Sequence, residues 1–229
     1  MPWKSRLQSV FEPAVEYLFP ALCAHCKEQK RADAFLCEHC LAELRQFPSP
    51  IQVEDTVWAL YRLNPVVRSL VHLLKYQAAL GVAPYLVNLS ASPDIAWSEH
   101  MAWIPVPLHP ARMRERGYNQ AEKIALAARQ RWGGRLMGGV LRRSRYAGSQ
   151  TRLEAEARRW NAAGSFIARP PAPESVIIVD DVYTTGATTQ ACEDALLRVG
   201  VKRFMVLALA YEPKVSGRDD WLLDRARGE

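Results

Sequence analysis

Apolar and polar positions along the chain lay out helices and strands in turn. Residues 4–19 place Leu7, Val10, Phe11, Val15, Leu18 and Phe19 toward one side, which predicts a short amphipathic helix. Residues 57–63 alternate enough for a strand. Asn64 and Pro65 then read as a cap and first helical residue, leading into a helix over 66–76. Residues 102–106 form a buried strand ending at a proline-marked loop, and 118–132 a helix. Paired glycines at 133–134 and 138–139 break the chain before a strand that starts at Val140 and Leu141. Strand, helix and last strand follow at 175–179, 186–199 and 204–211. Phe47-Pro-Ser-Pro50, Ser92-Pro-Asp94 and Pro170-Pro-Ala-Pro173 are connectors and turns. Strands alternating with helices predict an α/β fold with a mainly parallel sheet flanked by helices. Three regions result: an N-terminal helix with a cysteine module over 1–50, a main domain over 51–215, and a charged tail over 216–229.

Composition narrows the class. With 229 residues, 49% hydrophobic and 24% charged, the chain has a soluble globular composition. No run approaches the roughly 20 apolar residues that span a bilayer. The apolar residues of the N-terminus are broken by Glu12, Pro13 and Glu16, unlike a secretory signal, so a cytoplasmic location is expected.

The net charge of +6 is unevenly spread. Between Arg112 and Arg159 stand 12 Arg and one Lys against four Glu, a local net of +9. Part of such a run is ordinarily a solvated helix face. The excess of Arg over Lys points instead to anions, because guanidinium groups make forked contacts with phosphate oxygens. Within it, residues 142–166 are polar, Arg-rich and weakly periodic. Loops of that length in a compact domain are usually functional.

Four of the five cysteines read Cys23-x2-Cys26-x10-Cys37-x2-Cys40. Two such knuckles can converge four thiolates on one tetrahedral Zn²⁺. Two disulfides or a redox pair are the rival readings; a reducing compartment disfavours the first, and no thioredoxin-like strand-turn-helix context supports the second. A closed four-thiolate site leaves no open position for catalysis, so the zinc is expected to be structural. His25 and His39 lie inside the knuckles and are expected beside the metal rather than on it. Cys192 stands apart on an expected helix, as a small buried residue.

The most informative stretch runs from Val176 to Thr189. Four apolar β-branched residues make a strand buried on both faces. Asp180 and Asp181 stand at its carboxyl end, where open α/β sheets bind ligands. Then come Val182, Tyr183, Thr184, Thr185, Gly186, Ala187, Thr188 and Thr189, a hydroxyl-rich turn that opens into a helix. Gly186 lets the backbone approach a bound group, and the turn's amides favour an anion. A helix cap needs one such residue, not two Asp and four Thr. Carboxylates can accept hydrogen bonds from a vicinal diol or hold Mg²⁺ through water. Phosphate donors beside diol acceptors describe a ribose 5-phosphate site.

This stretch resembles the phosphoribosyl pyrophosphate (PRPP) motif of type I phosphoribosyltransferases. Ile104-Pro-Val-Pro107-Leu-His109, Arg112 and Arg116-Gly-Tyr-Asn119-Gln120 narrow the likeness to the ComF family of competence and DNA-utilisation proteins. So do Gln150-x2-Leu153-x4-Arg158-x2-Asn161-x4-Phe166, the knuckles, and Leu74-Lys75-Tyr76. The resemblance covers residues 18–211. Many members carry another cysteine pair before the Lys-Tyr segment, and this chain lacks it.

The resemblance implies a type I phosphoribosyltransferase-like sheet and a site for PRPP with Mg²⁺. Pro107, Arg112 and Arg116 would meet pyrophosphate, and the 142–166 loop would close over it with Arg143, Gln150 and Arg158. Asn119 and Gln120 would hold the turn or merely cap a helix, and Lys75 would be a minor contact or a surface lysine. A nucleobase hood would lie within 57–100. Two roles are expected. One is a ligand-binding factor in DNA uptake or utilisation that contacts single-stranded DNA and the uptake machinery. Trp103, Tyr118, Tyr146 and Trp160 would then be stacking aromatics. The other is an active Mg²⁺-dependent phosphoribosyltransferase with an unidentified nitrogen acceptor.

Overall fold

The computed structural model describes residues 21–94, 101–143 and 165–213. The expected helix over 4–19, Gln150, Arg158 and most of the 142–166 loop, Tyr146, Trp160 and the 216–229 tail lie outside them.

A six-stranded, mostly parallel sheet organises the chain. Its strands are β1 (Ile51–Glu54), β2 (Val57–Arg62), β3 (Ala102–Pro105), β4 (Arg135–Leu136), β7 (Ser175–Tyr183) and β8 (Arg203–Tyr211). Their order is β1-β2-β8-β7-β3-β4, and only β1 pairs antiparallel with its neighbour β2. β5 (Leu141–Arg143) and β6 (Phe166–Ala168) form a separate antiparallel pair.

Alternation along the central strands builds two cores. Ile177, Val179, Leu207 and Leu209 face α2 (Pro65–Tyr76), α3 (Val82–Leu89) and α5 (Gln120–Trp132). Val176, Ile178, Val206 and Ala208 face α6 (Ala187–Leu197) and the β5–β6 pair. Cys23 and Leu36, with Cys40 and Leu44 of α1 (Glu38–Arg45), belong to the first of these cores. The cysteine module therefore shares its apolar interior with α2 and α3.

Most expected elements appear, with differences that have physical reasons. Asn64 does cap α2, its side chain accepting from the Val67 amide at 2.8 Å, with Pro65 at the first turn. Residues 57–62, assigned above to a hood, are β2 of the central sheet. β1 begins immediately after the Pro50 connector. The short α4 (Pro110–Arg116) was read as loop: it buries no residue, so it carries no apolar stripe. α3 is apolar nearly all round and contains Pro84, which hides its period. β7 does not stop at Val179. Pairing with β8 continues through Asp180↔Ala208 to Tyr183↔Tyr211, so the acidic pair lies inside the strand.

Candidate functional site

Consecutive residues of a strand point to opposite faces, so the two carboxylates part company. Asp181 faces the α2 side, where Lys75 Nζ meets its Oδ2 at 2.9 Å. Asp180 faces the α6 side, toward Arg143 and Cys192. Each acid thus draws its cation from a different layer. Burial, then the neighbouring Asp181 charge, pushes Asp180 up to about 7, against the pull of the Asp181 amide, Lys75 and Arg143. That amide donates to Asp180 Oδ1 at 2.8 Å. Burial lowers Arg143 from its ordinary value and raises the Cys192 thiol.

A cleft of about 270 Å³ opens beside the pair. Asp180, Asp181, Val182 and Thr188 form one wall; Pro107, Arg112, Arg116 and Arg143 face them, with Lys75 and Tyr76 at the end of α2. The Arg116 guanidinium lies 5.2 Å from the Tyr76 ring centre, and that of Arg143 5.4 Å from Phe166. The proline turn is held from below. Asn119 Nδ2 donates to Val106 O at 2.9 Å while its Oδ1 accepts from the Ala121 amide at 3.1 Å. Asn119 therefore both caps α5 and fixes the turn. Gln120 is 1% exposed, and its Nε2 has no hydrogen-bond partner among the described residues.

The threonine turn adjoins this cleft. Asp180, Val182, Tyr183, Thr184, Gly186, Ala187, Thr188 and Thr189 surround a small hollow. Gly186 has φ +76°, and no side chain caps the N-terminus of α6. The leading amides of that helix have no acceptor within it, so an anion can satisfy them. Not every threonine faces inward. Thr189 is buried and its hydroxyl donates to Gly186 O at 2.8 Å. Thr185 lines a different depression, with Glu54 and Glu193. The Tyr183 hydroxyl is committed to Glu54 Oε1 at 3.0 Å.

The four knuckle thiols converge. The sulfurs of Cys23, Cys26, Cys37 and Cys40 lie within 4.8 Å of one another. A tetrahedral zinc with about 2.3 Å bonds needs sulfurs about 3.8 Å apart, so the set fits a metal such as zinc. All four are free thiols, not disulfides. Burial pushes Cys23 up, but the Cys37, His25 and Cys26 amides outweigh it and bring it to about 6. His25 Nδ1 lies 3.0 Å from Ser69 Oγ of α2.

Three sequence expectations change. Lys75, given little weight, is the ion-pair partner of Asp181. Its signal was its place in the last turn of an amphipathic helix, next to Tyr76. Trp103 is no stacking platform: it is 1% exposed, and its Nε1 donates to Gly133 O at 2.7 Å. The Tyr118 hydroxyl is likewise engaged, by Leu74 O. Some of the arginine run is structural, since Arg131 donates to Asn88 O and Ser90 O at 2.9 and 2.8 Å.

Fold and site together define an α/β protein with a thiol knuckle and a cleft where cations meet an acidic pair. No family model matches the chain. Among characterised relatives, Competence protein F of Haemophilus influenzae is 28% identical, over 82% of this chain and 83% of its own. DNA utilization protein YhgH of Escherichia coli K12 is 27% identical, over 82% and 89%. Competence protein ComFC of Streptococcus pneumoniae is 30% identical, over 47% and 46%. These likenesses to competence and DNA-utilisation proteins support the resemblance to the ComF family. No helix among the described residues is long and apolar enough to cross a membrane.

Proposed function

We propose that the cleft binds PRPP with Mg²⁺, in a protein that serves competence or DNA utilisation. One observation carries the binding reading: a single cleft joins an acidic pair, three arginines and the first turn of an uncapped helix. The 5-phosphate would take the Thr184–Thr188 turn and its amides. Asp180 and Asp181 would accept from the ribose hydroxyls, directly or through hydrated Mg²⁺. Arg112, Arg116 and Arg143 would neutralise pyrophosphate. Such a fold resembles type I phosphoribosyltransferases, and the biological role rests on the names of the relatives. The arginine surface and the knuckle would also hold single-stranded DNA.

A catalytic form of this reading is favoured by the intact acidic pair and by Arg143 poised beside it. Pyrophosphate would leave C1 of the ribose as a ring nitrogen attacks, with the arginines stabilising the leaving group.

Calorimetric titration of PRPP and Mg²⁺ into wild type and Asp180→Asn/Asp181→Asn tests the site, with and without single-stranded DNA. Binding is expected in wild type and lost in the variant. DNA that changes the PRPP affinity would reveal a coupling that must act in both directions. A folded wild type that does not bind PRPP would overturn the reading.

A further inference from the structure

Three successive residues at the end of α2 reach three different parts of the cleft. Leu74 O accepts from the hydroxyl of Tyr118, the residue before Asn119. Lys75 Nζ pairs with Asp181. The Tyr76 ring lies under the Arg116 guanidinium, 5.2 Å away. The same helix is held elsewhere by the cysteine knuckle. His25, between Cys23 and Cys26, meets Ser69 Oγ at 3.0 Å. We propose that His25 and Ser69 are positioning residues that couple the knuckle to the cleft: the metal-loaded knuckle holds α2, and α2 sets the cleft for its anionic ligand. The identity of that ligand rests on the PRPP reading above.

Three observations carry it. The first is the direction of the contact. A serine hydroxyl has one proton, and that of Ser69 goes to Pro65 O at 3.0 Å. Ser69 therefore accepts from the Nδ1–H of His25. The two residues stand 44 positions apart, so the bond joins separate stretches of chain. The second is a shared interior. Cys23, Cys40 and Leu44 pack in one core with Leu70, Val71 and Leu74 of α2. Phe35 O accepts from the Ala24 amide at 2.9 Å, and the Phe35 ring packs edge-on to Tyr85 of α3 at 5.2 Å. The shape of the knuckle thus bears on both helices. The third is rigidity. Ser69 and Lys75 lie on one unbroken helix, about 9 Å apart along its axis. A displacement at Ser69 is carried to Lys75 rather than absorbed, because close-packed interiors transmit strain.

The knuckle segment is too short for a core of its own, so its order depends on metal binding. Without that order the His25 ring has no fixed backbone behind it, and α2 loses its hold at Ser69. Lys75 then drifts from Asp181, and Tyr76 from Arg116. Coupling of this kind is reciprocal. A ligand that fixes Asp181 and the arginines tightens the hold of the knuckle on its metal.

The test uses the full-length, zinc-loaded chain. PRPP with Mg²⁺ is titrated into wild type, Ser69→Ala, His25→Ala, His25→Asn and the Ser69→Ala/His25→Ala double variant. Affinity should fall about fivefold in either alanine variant, as for the loss of one hydrogen bond. It should fall no further in the double variant. It should recover in His25→Asn, whose side-chain amide keeps a donor near the place of Nδ1. Saturating PRPP should raise the zinc affinity, read by competition with a chromophoric chelator, by a similar factor in wild type and not in Ser69→Ala. Amide hydrogen exchange is read in parallel without PRPP. Protection over residues 73–77 should drop in Ser69→Ala and on partial chelation of wild type. Unchanged exchange in Ser69→Ala would overturn the inference, as would PRPP affinity untouched by that change. So would additive losses in the double variant, or a His25→Asn no better than His25→Ala. A wild type that binds no PRPP would sink the ligand reading alone, and the exchange measurement still decides the coupling.

Discussion

Gly186→Ala is the sharpest perturbation of the threonine turn. Gly186 sits at φ +76°, and an added Cβ would lie 2.5 Å from the Tyr183 hydroxyl and 3.1 Å from its ring carbon. A left-handed backbone costs a residue with a side chain about 1–2 kcal/mol. The hydroxyl is not a loose end. It is held at 3.0 Å by Glu54, and Tyr183 is only 6% exposed. Pushing it aside breaks that hydrogen bond, about another 1 kcal/mol. The variant should therefore lose about 2–3 kcal/mol, or roughly 5–10 °C in Tm for a chain of this size. The turn cannot keep its shape, so PRPP affinity should fall with it. A double-mutant cycle isolates the cause. Tyr183→Phe should cost about 1 kcal/mol in wild type and almost nothing in Gly186→Ala, where the bond is already lost. Urea unfolding of the four proteins reads both quantities. Strictly additive changes would show that Tyr183 does not police this turn, and unaltered PRPP binding in Gly186→Ala would show that the turn does not hold the phosphate.

The remaining predictions concern charge, metal and turn. Asp180 has its folded pKa raised to about 7. The stability this contributes is complete below the unfolded value near 4 and is lost as pH rises through 7. Asp180→Asn should therefore raise the urea midpoint more at pH 8 than at pH 5.5; an equal effect at both would refute the shift. Zinc analysis should find one ion per chain in wild type and a large loss in Cys37→Ser. Because Cys23, Cys40 and Leu44 share a core with α2, chelation should also lower Tm. A Tm indifferent to chelator would contradict that. Asn119→Ala removes both the α5 cap and the bond to Val106 O, and should cost about 1–2 kcal/mol in urea unfolding. Loss of the cap alone would leave PRPP binding intact, whereas a displaced proline turn would weaken it.

Much of the site was legible because its chemistry is contiguous in sequence. Asp180 to Thr189 is one strand-turn-helix unit, and the knuckles are two short motifs with diagnostic spacing. What the sequence hid are relations across long separations. Nothing local to Lys75 says that it meets a carboxylate more than 100 residues away; that contact depends on how α2 lies on the sheet. The hydroxyl count likewise overstated the turn, because folding turns Thr189 back onto Gly186 O and Thr185 toward Glu54. Trp103 and Arg131 misled for the same reason. An aromatic or a guanidinium suited to a ligand is equally suited to a backbone carbonyl, and burial decides between them. Elements without a one-sided apolar pattern, α3 and α4, left no period to read.

The two-sided placement of Asp180 and Asp181 limits how this chain can change length. Deleting or inserting one residue between Ser175 and Val179 would exchange the faces of everything beyond it. Asp181 would turn from Lys75 toward α6, and Asp180 toward α2. A change of two residues would restore each acid to its own side while shifting the turn along the sheet by about 7 Å. Substitutions in β7 can be absorbed one at a time, but its length can vary only in even steps, each of which must be matched in β8. The register of one pair of strands thus acts as a parity check on the protein's history of insertions and deletions.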